Sequence, residues 1–195
     1  MEKRILLAFA GKMYTGKDTS ADIWSQHYNN YVKNHALQDY RGYDKIAFAD
    51  DIKRICKSTF GLTDDDVNTP EGKKRTLPVY GKTVRELLQG IGEGLRNAIS
   101  PDIWVITTMM KIDRLLANGK THLLVTDVRY PNELSALKSR GFTVIKLIRD
   151  TGIVDTHPSE KDLSDKLFDY VIDNNGTIAD LEEKLLQLPE YQHGI

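Results

Sequence analysis

Short apolar runs alternate along this chain with longer stretches of helical periodicity. The first run lies within residues 3–10 and breaks at Gly11-Lys12, and helical sequence follows over roughly 17–34. Residues 43–48 give a weaker strand pattern, with a helix from about 50 to 60. Residues 61–81 carry turn residues and charge, including Asp64-Asp65-Asp66 and Lys73-Lys74-Arg75, and Asp64-Asp65-Asp66 reads as a solvated loop. Two helices are predicted at about 83–98 and 102–118. A strand at 122–126, a helix over 131–140 and a strand at 142–148 come next. Residues 149–166 are polar and loop-like, and a short strand at 169–173 precedes a last helix at 177–188. Strands separated by helices predict a parallel sheet covered on both faces, because right-handed crossovers place helices there. The fully apolar segments 5–10 and 123–125 suit its centre.

Composition narrows the function classes. The 195 residues, 40% hydrophobic, suffice for one domain with a substantial core. Lys and Arg number 27 against 28 Asp and Glu, a net charge of -1, which argues against a protein that holds nucleic acid or membrane by bulk positive charge. One cysteine excludes a disulfide framework and a cysteine-based zinc finger. The apolar start resembles a signal peptide but is too short for one. No run approaches the roughly 20 residues of a membrane span. A reducing, cytoplasmic setting is the expectation.

Gly11-Lys12-Met13-Tyr14-Thr15-Gly16-Lys17 has the spacing of a phosphate-binding loop between an apolar strand and a helix. Glycines let the backbone curl around a phosphate, the helix start adds positive potential, and Lys17 reaches the β- and γ-phosphates of a nucleotide. The strict pattern has Ser or Thr after the lysine; here Asp18 stands there, with Thr19 next. A carboxylate beside phosphates is repulsive unless a metal lies between them, so Asp18 argues for Mg²⁺, held directly or through water.

On the 83–98 helix, Val84, Leu87, Leu88, Ile91, Leu95 and Ala98 share one face, while Arg85, Gln89 and Arg96 form a separate stripe with a gap at Gly92. Glycines 90, 92 and 94 each weaken a helix by about 1 kcal/mol, so a ligand or another backbone comes close there, or the stripe is an ordinary solvated face. Leu123-Leu124-Val125-Thr126-Asp127 is an apolar run ending in an acid, with Arg129 two residues on and Pro131 opening a helix. Ligands of open α/β sheets sit beyond the carboxyl ends of strands, where Asp127 can hold Mg²⁺ waters and Arg129 a phosphate. Cys56 reads as a buried structural thiol, and Trp104 by itself as core.

These pieces in this order resemble the bacteriophage deoxynucleoside monophosphate kinases, within the P-loop nucleoside monophosphate kinases. The likeness runs from Gly11–Thr19 through Phe48-Ala49-Asp50 with Ile52-Lys53, Arg85–Gln89, Gly92, Arg96, Pro101-Asp102 and Trp104. Thr126–Glu133, His157, Ser159 and Glu160, and Asp173–Thr177 complete it. Asp51 departs from it, where a proline is expected, and this bears on the local helix start. The resemblance implies a three-layer α/β fold with a five-stranded parallel sheet, a helical monophosphate-binding region over about 50–118 and a lid over about 149–166. It implies that the loop, Lys17 included, holds ATP, with Asn174 and Asn175 near its base. It assigns Asp50, Lys53, Arg85, Gln89, Arg96, Trp104, Asp127 and Arg129 to the monophosphate substrate. Arg149 belongs to the lid, and Lys17, Arg129 and Arg149 act on the transferred phosphate. Asp18 and Asp127 are the Mg²⁺ candidates. The partners implied are small nucleotides, with a homodimer as a family expectation, and the location is the host cytoplasm if the chain is phage-encoded.

An ionised phosphate acceptor needs no general base, which accords with several cations and no evident acid–base pair. Two other readings share part of this pattern. One is a P-loop kinase for another small phosphorylated acceptor, of the phosphomevalonate or dephospho-coenzyme A type. The other is a nucleotide-dependent switch, for which the guanine-reading Asn-Lys-x-Asp is missing.

Overall fold

The computed structural model describes residues 4–34, 43–152 and 163–194. The chain divides into two compact units, Phe48–Met110 and the remainder. Among the described residues no helix is long and apolar enough to cross a membrane.

The larger unit is built on strands β1 (Ile5–Ala10), β2 (Asp44–Ile46), β5 (His122–Val128), β6 (Thr143–Ile148) and β7 (Tyr170–Asp173). All pair in parallel, in the order β2-β5-β1-β6-β7, so the most apolar run is the central strand. Every residue of β1 is buried. Ile5, Leu7 and Phe9 join Leu124, Ile145 and Leu147 on one face, packed against Ala21 and Trp24 of α1 (Lys17–Asn34) and Leu181 and Leu185 of α8 (Ile178–Leu186). The alternate residues Leu6, Ala8 and Ala10 are buried on the other face, and α7 (Pro131–Lys138) packs along β6. Both faces are therefore covered, as the uninterrupted apolar runs require. A short helix α9 (Pro189–Gly194) and a 3₁₀ turn at Asp165–Leu167 follow no sequence signal noted above.

The smaller unit holds α2 (Asp50–Phe60), α3 (Asp64–Asn68), α4 (Pro70–Lys74), a minimal hairpin of β3 (Thr76–Leu77) and β4 (Lys82–Thr83), and α5 (Val84–Ala98). The first half of α6 (Ile103–Ala117) also belongs to it. Cys56, Leu62, Val67 and Val84 form its centre, with Ile52, Phe60, Leu77, Leu88 and Ile91 packed around them. Burial pushes the Cys56 thiol above its ordinary pKa.

The reading of Asp64-Asp65-Asp66 as a solvated loop is corrected. Thr63 and Asp66 form a reciprocal capping box that starts α3. Asp66 is buried and accepts two hydrogen bonds of 2.7 Å from Arg75. Those bonds hold its carboxyl at about 2, well below the usual range. Only Asp64 and Asp65 of the acidic run are exposed. Asp51 does not disturb the start of α2: it lies in the first turn, where a carboxylate suits the helix dipole, and pairs with Arg54 at 3.1 Å.

Candidate active site

The loop between β1 and α1 is built around two glycines that tolerate no other residue. Gly11 has φ +137°, and a Cβ there would lie 2.5 Å from the Leu147 carbonyl oxygen and 2.7 Å from Thr15 Oγ1. Gly16 has φ +99°, and its Cβ would lie 2.5 Å from Asn174 Nδ2. Between them Thr15 Oγ1 donates to the Lys12 carbonyl at 2.9 Å, and Tyr14 adopts the left-handed φ of 62°. Lys12 and Tyr14 are exposed and Met13 half-buried.

Lys17 opens α1 and folds back over this loop. Its Nζ donates to the Gly11 and Lys12 carbonyls at 2.9 and 2.6 Å, and the residue is only 7% exposed. Burial, chiefly, and the positive charge of Arg129 together lower its pKa to about 8. Asp127 and Asp18 act in the opposite sense. Lys17, Arg129, Asp127 and Asp18 thus share one electrostatic neighbourhood. Asp18 is exposed in the first turn of α1, and Thr19 is half-buried.

The carboxyl end of β5 is irregular where it meets this loop. Ala8 pairs with Val125 but Ala10 with Val128, so one extra residue is accommodated at Thr126–Asp127. Such bulges re-aim side chains beside functional sites. Arg129 follows, half-buried, and its backbone N–H donates to Glu133 at 2.8 Å, as that of Tyr130 does at 3.0 Å. Glu133 is 2% exposed. This residue fixes the backbone that carries Arg129, and its sequence signal is the acid at the third position of a proline-opened helix.

Arg149 is exposed one residue beyond β6. Asn174 and Asn175, expected near the ATP base, follow β7 directly. Asn174 is buried and its amide donates to the Thr15 carbonyl at 2.9 Å. The Asn175 side chain accepts from the Asp150 N–H at 2.8 Å and donates to Asp173 at 2.9 Å. The greater part of the expected lid, with His157, Ser159 and Glu160, lies outside the described residues.

In the smaller unit, Arg85, Gln89 and Arg96 are half-buried on α5. Thr83 caps this helix in a reciprocal box with Glu86, and the Val84 N–H donates to the Arg75 carbonyl at 3.0 Å. Arg96 Nη1 lies 3.4 Å from Glu93. The gap read at Gly92 is filled: a Cβ there would stand 3.3 Å from Ile52 Cδ1, so the glycine admits α2. Its carbonyl accepts from Trp104 Nε1 at 2.9 Å. Trp104 is 2% exposed, so it packs the unit as core and does not offer an open face to a base. Gly90 and Gly94 face open space. Asp50 and Lys53 occupy the first turn of α2, both half-buried.

A glycine-framed loop, a buried lysine at a helix start and two flanking acids can hold the phosphates of a nucleotide. Among the described residues no three of His, Cys, Asp or Glu gather as a metal site. Asp18 and Asp127 are hard oxygen donors, and one or two carboxylates beside phosphates are what Mg²⁺ uses.

Comparison with known proteins gives this chemistry a family. Residues 73–185 match the model of the family described as deoxynucleotide monophosphate kinase. A protein of Acanthamoeba polyphaga mimivirus, named "Putative deoxynucleotide monophosphate kinase", is 30% identical over 93% of this chain and 94% of its own. The deoxynucleotide monophosphate kinase of Enterobacteria phage T4 is 30% identical over 53% of this chain, a match that spans 44% of the phage protein. Among solved structures, one from Chloroflexus aurantiacus, described as a "putative kinase", covers both chains completely with a TM-score of 0.50 at 10% identity, a likeness of fold. With more than half of its length matched by the family model and a relative matched almost end to end, the chain belongs to the deoxynucleotide monophosphate kinase family.

Proposed function

We propose that this protein transfers the terminal phosphate of ATP to a deoxynucleoside 5′-monophosphate, giving a diphosphate and ADP. The observation that carries the proposal is Lys17: a lysine 7% exposed, on two main-chain carbonyls of a glycine-framed loop, in the field of Arg129, Asp127 and Asp18. A charge kept at such cost in a free protein suits an anionic ligand.

In this reading residues 11–19 cradle the ATP phosphates. Lys17 leaves the loop carbonyls for the phosphate oxygens, and Arg129 and Arg149 neutralise charge as the transferred group moves. Asp18 and Asp127 are the residues for Mg²⁺, which when bound supplies further neutralisation of the phosphates. Asp50, Lys53, Arg85, Gln89 and Arg96 are assigned to the monophosphate. The acceptor phosphate is ionised near neutral pH, so catalysis is positioning and charge neutralisation with no general base.

ADP release with ATP and Mg²⁺, across a panel of ribo- and deoxynucleoside monophosphates, tests the reading. Stimulation by deoxynucleotides is the expected result, and no stimulation by any of them refutes it. Lys17→Ala is expected to lose at least ~10²-fold in turnover, the scale set by loss of one transition-state donor. Near-normal turnover in the folded variant would remove Lys17 from the mechanism.

A further inference from the structure

The turn Asp173–Asn175 closes β7 on the same sheet as the phosphate loop, and its hydrogen bonds run to two places that the reaction uses. Asn174 is 3% exposed. Its Nδ2 donates to the Thr15 carbonyl at 2.9 Å, across 159 residues of sequence. The same Nδ2 occupies the space a side chain at position 16 would need, so the glycine and the asparagine interlock. The Asn174 backbone N–H donates to the Ile148 carbonyl at 2.7 Å. The Asn175 side-chain oxygen Oδ1 then accepts the N–H of Asp150 at 2.8 Å, so the two bonds bracket Arg149. The turn is itself held: Asp173 accepts from the Asn175 N–H and Nδ2 at 2.8 and 2.9 Å, and Lys184 donates to the Asp173 carbonyl at 2.6 Å.

We propose that this turn is a positioning device for phosphate transfer, in which Asn174 sets the phosphate loop through Thr15 and Asn175 sets the backbone on either side of Arg149. The inference rests on the reading of residues 11–19 as the ATP loop and of Arg149 as a phosphate-handling residue. The chemistry requires an N–H donor at 174. The Thr15 carbonyl belongs to a residue only 2% exposed, and an unmet buried carbonyl is costly enough to move a loop. Asn174 and Asn175 are positioning residues here, without contact to the reacting groups.

The test uses the full chain with Asn174→Asp, Asn174→Ala and Asn175→Ala. The measurements are kcat, KM for ATP and for the monophosphate, calorimetric ADP affinity and stoichiometry, and Tm. Asn174→Asp keeps the shape but sets a carboxylate against a carbonyl. It is expected to raise KM for ATP and weaken ADP about tenfold, the scale of one lost buried hydrogen bond, with KM for the monophosphate within twofold. Asn174→Ala removes the donor without adding charge and is expected to act in the same direction. Asn175→Ala is expected to lower kcat about tenfold, with ADP affinity unchanged and one ADP bound per chain. A merely structural role would lower Tm or the ADP stoichiometry and leave this split of KM against kcat absent. Folded Asn174 variants that bind ADP with the parent affinity overturn the proposal, as does failure of both to fold. Parental kcat in Asn175→Ala overturns its second half. Full activity of Lys17→Ala would instead overturn the reading of the loop itself, whatever the turn variants show.

Discussion

Replacing Lys17 by methionine is expected to make the nucleotide-free protein more stable while abolishing its use of ATP. Methionine keeps the length and the apolar stem and removes the charge. The pKa of Lys17 falls from the ordinary 10.5 to about 8, chiefly through burial. Each pH unit is worth about 1.4 kcal/mol, so holding the charge inside costs roughly 3 kcal/mol near neutrality. The variant regains that amount. It gives up the hydrogen bonds to the Gly11 and Lys12 carbonyls, at about 1 kcal/mol each. The net gain of about 1 kcal/mol raises Tm by roughly 2–4 °C in a chain of this size. The pH dependence has a definite sign. Between about 8 and 10.5 the unfolded parent binds more protons than the folded one, so parent stability rises with pH there. The advantage of Lys17→Met is therefore largest below pH 8, is used up about one pH unit above it and is reversed by pH 10.5, where only the lost hydrogen bonds count. Calorimetric unfolding of both proteins without nucleotide, at pH 7 and pH 10, measures this. A variant that melts below the parent at pH 7, or a gap that ignores pH, refutes the account of Lys17 as a charge held at a cost.

Four further outcomes follow from other details. ADP binding at pH 8.5 is expected to draw most of a proton from solution, because bound phosphate restores the charge on Lys17 that burial and Arg129 had loosened; calorimetry in two buffers of different ionisation enthalpy measures it, and equal heats would refute it. Gly90→Ala, with no atom within 4 Å of the new methyl, is expected to gain roughly 0.5–1 kcal/mol in denaturant unfolding. Gly92→Ala, with its methyl 3.3 Å from Ile52 Cδ1, is expected to lose stability, and the reverse order would contradict the packing of α2 on α5. Asp66→Asn is expected to lower Tm at neutral pH. The paired carboxylate contributes above its ordinary 3.8 and loses that contribution as pH falls toward about 2, so the gap should close over that window in a thermal scan.

Much of the larger unit was legible because its signals are local. The apolar run at 5–10 could only be a buried strand, and a glycine-spaced loop between strand and helix has few other uses. The same logic placed α1 and α5 to within about a residue. The acidic run Asp64–Asp66 was misread because α3 is a single turn held by its caps and by Arg75–Asp66, which no periodicity reveals in five residues. Lys146 is another silent feature. It lies in the apolar strand β6, yet it is buried with Nζ on the Leu163 carbonyl and on Asp165 at 2.6 and 2.7 Å, an arrangement that needs the distant segment in place.

Sequence alone determined the α/β class and singled out the glycine-spaced loop and a set of cations as candidates, because hydrophobic period and glycine spacing act within a few residues. Only the tertiary structure decided what those residues meet. It put Lys17 inside the protein, where desolvation shifts its charge, and turned Asn174 toward Thr15. It closed the gap at Gly92 with Ile52 and Trp104. Burial and hydrogen-bond partnership depend on groups far apart in the chain, and those are the quantities that set a pKa, a loop geometry and the side chains left to meet a ligand.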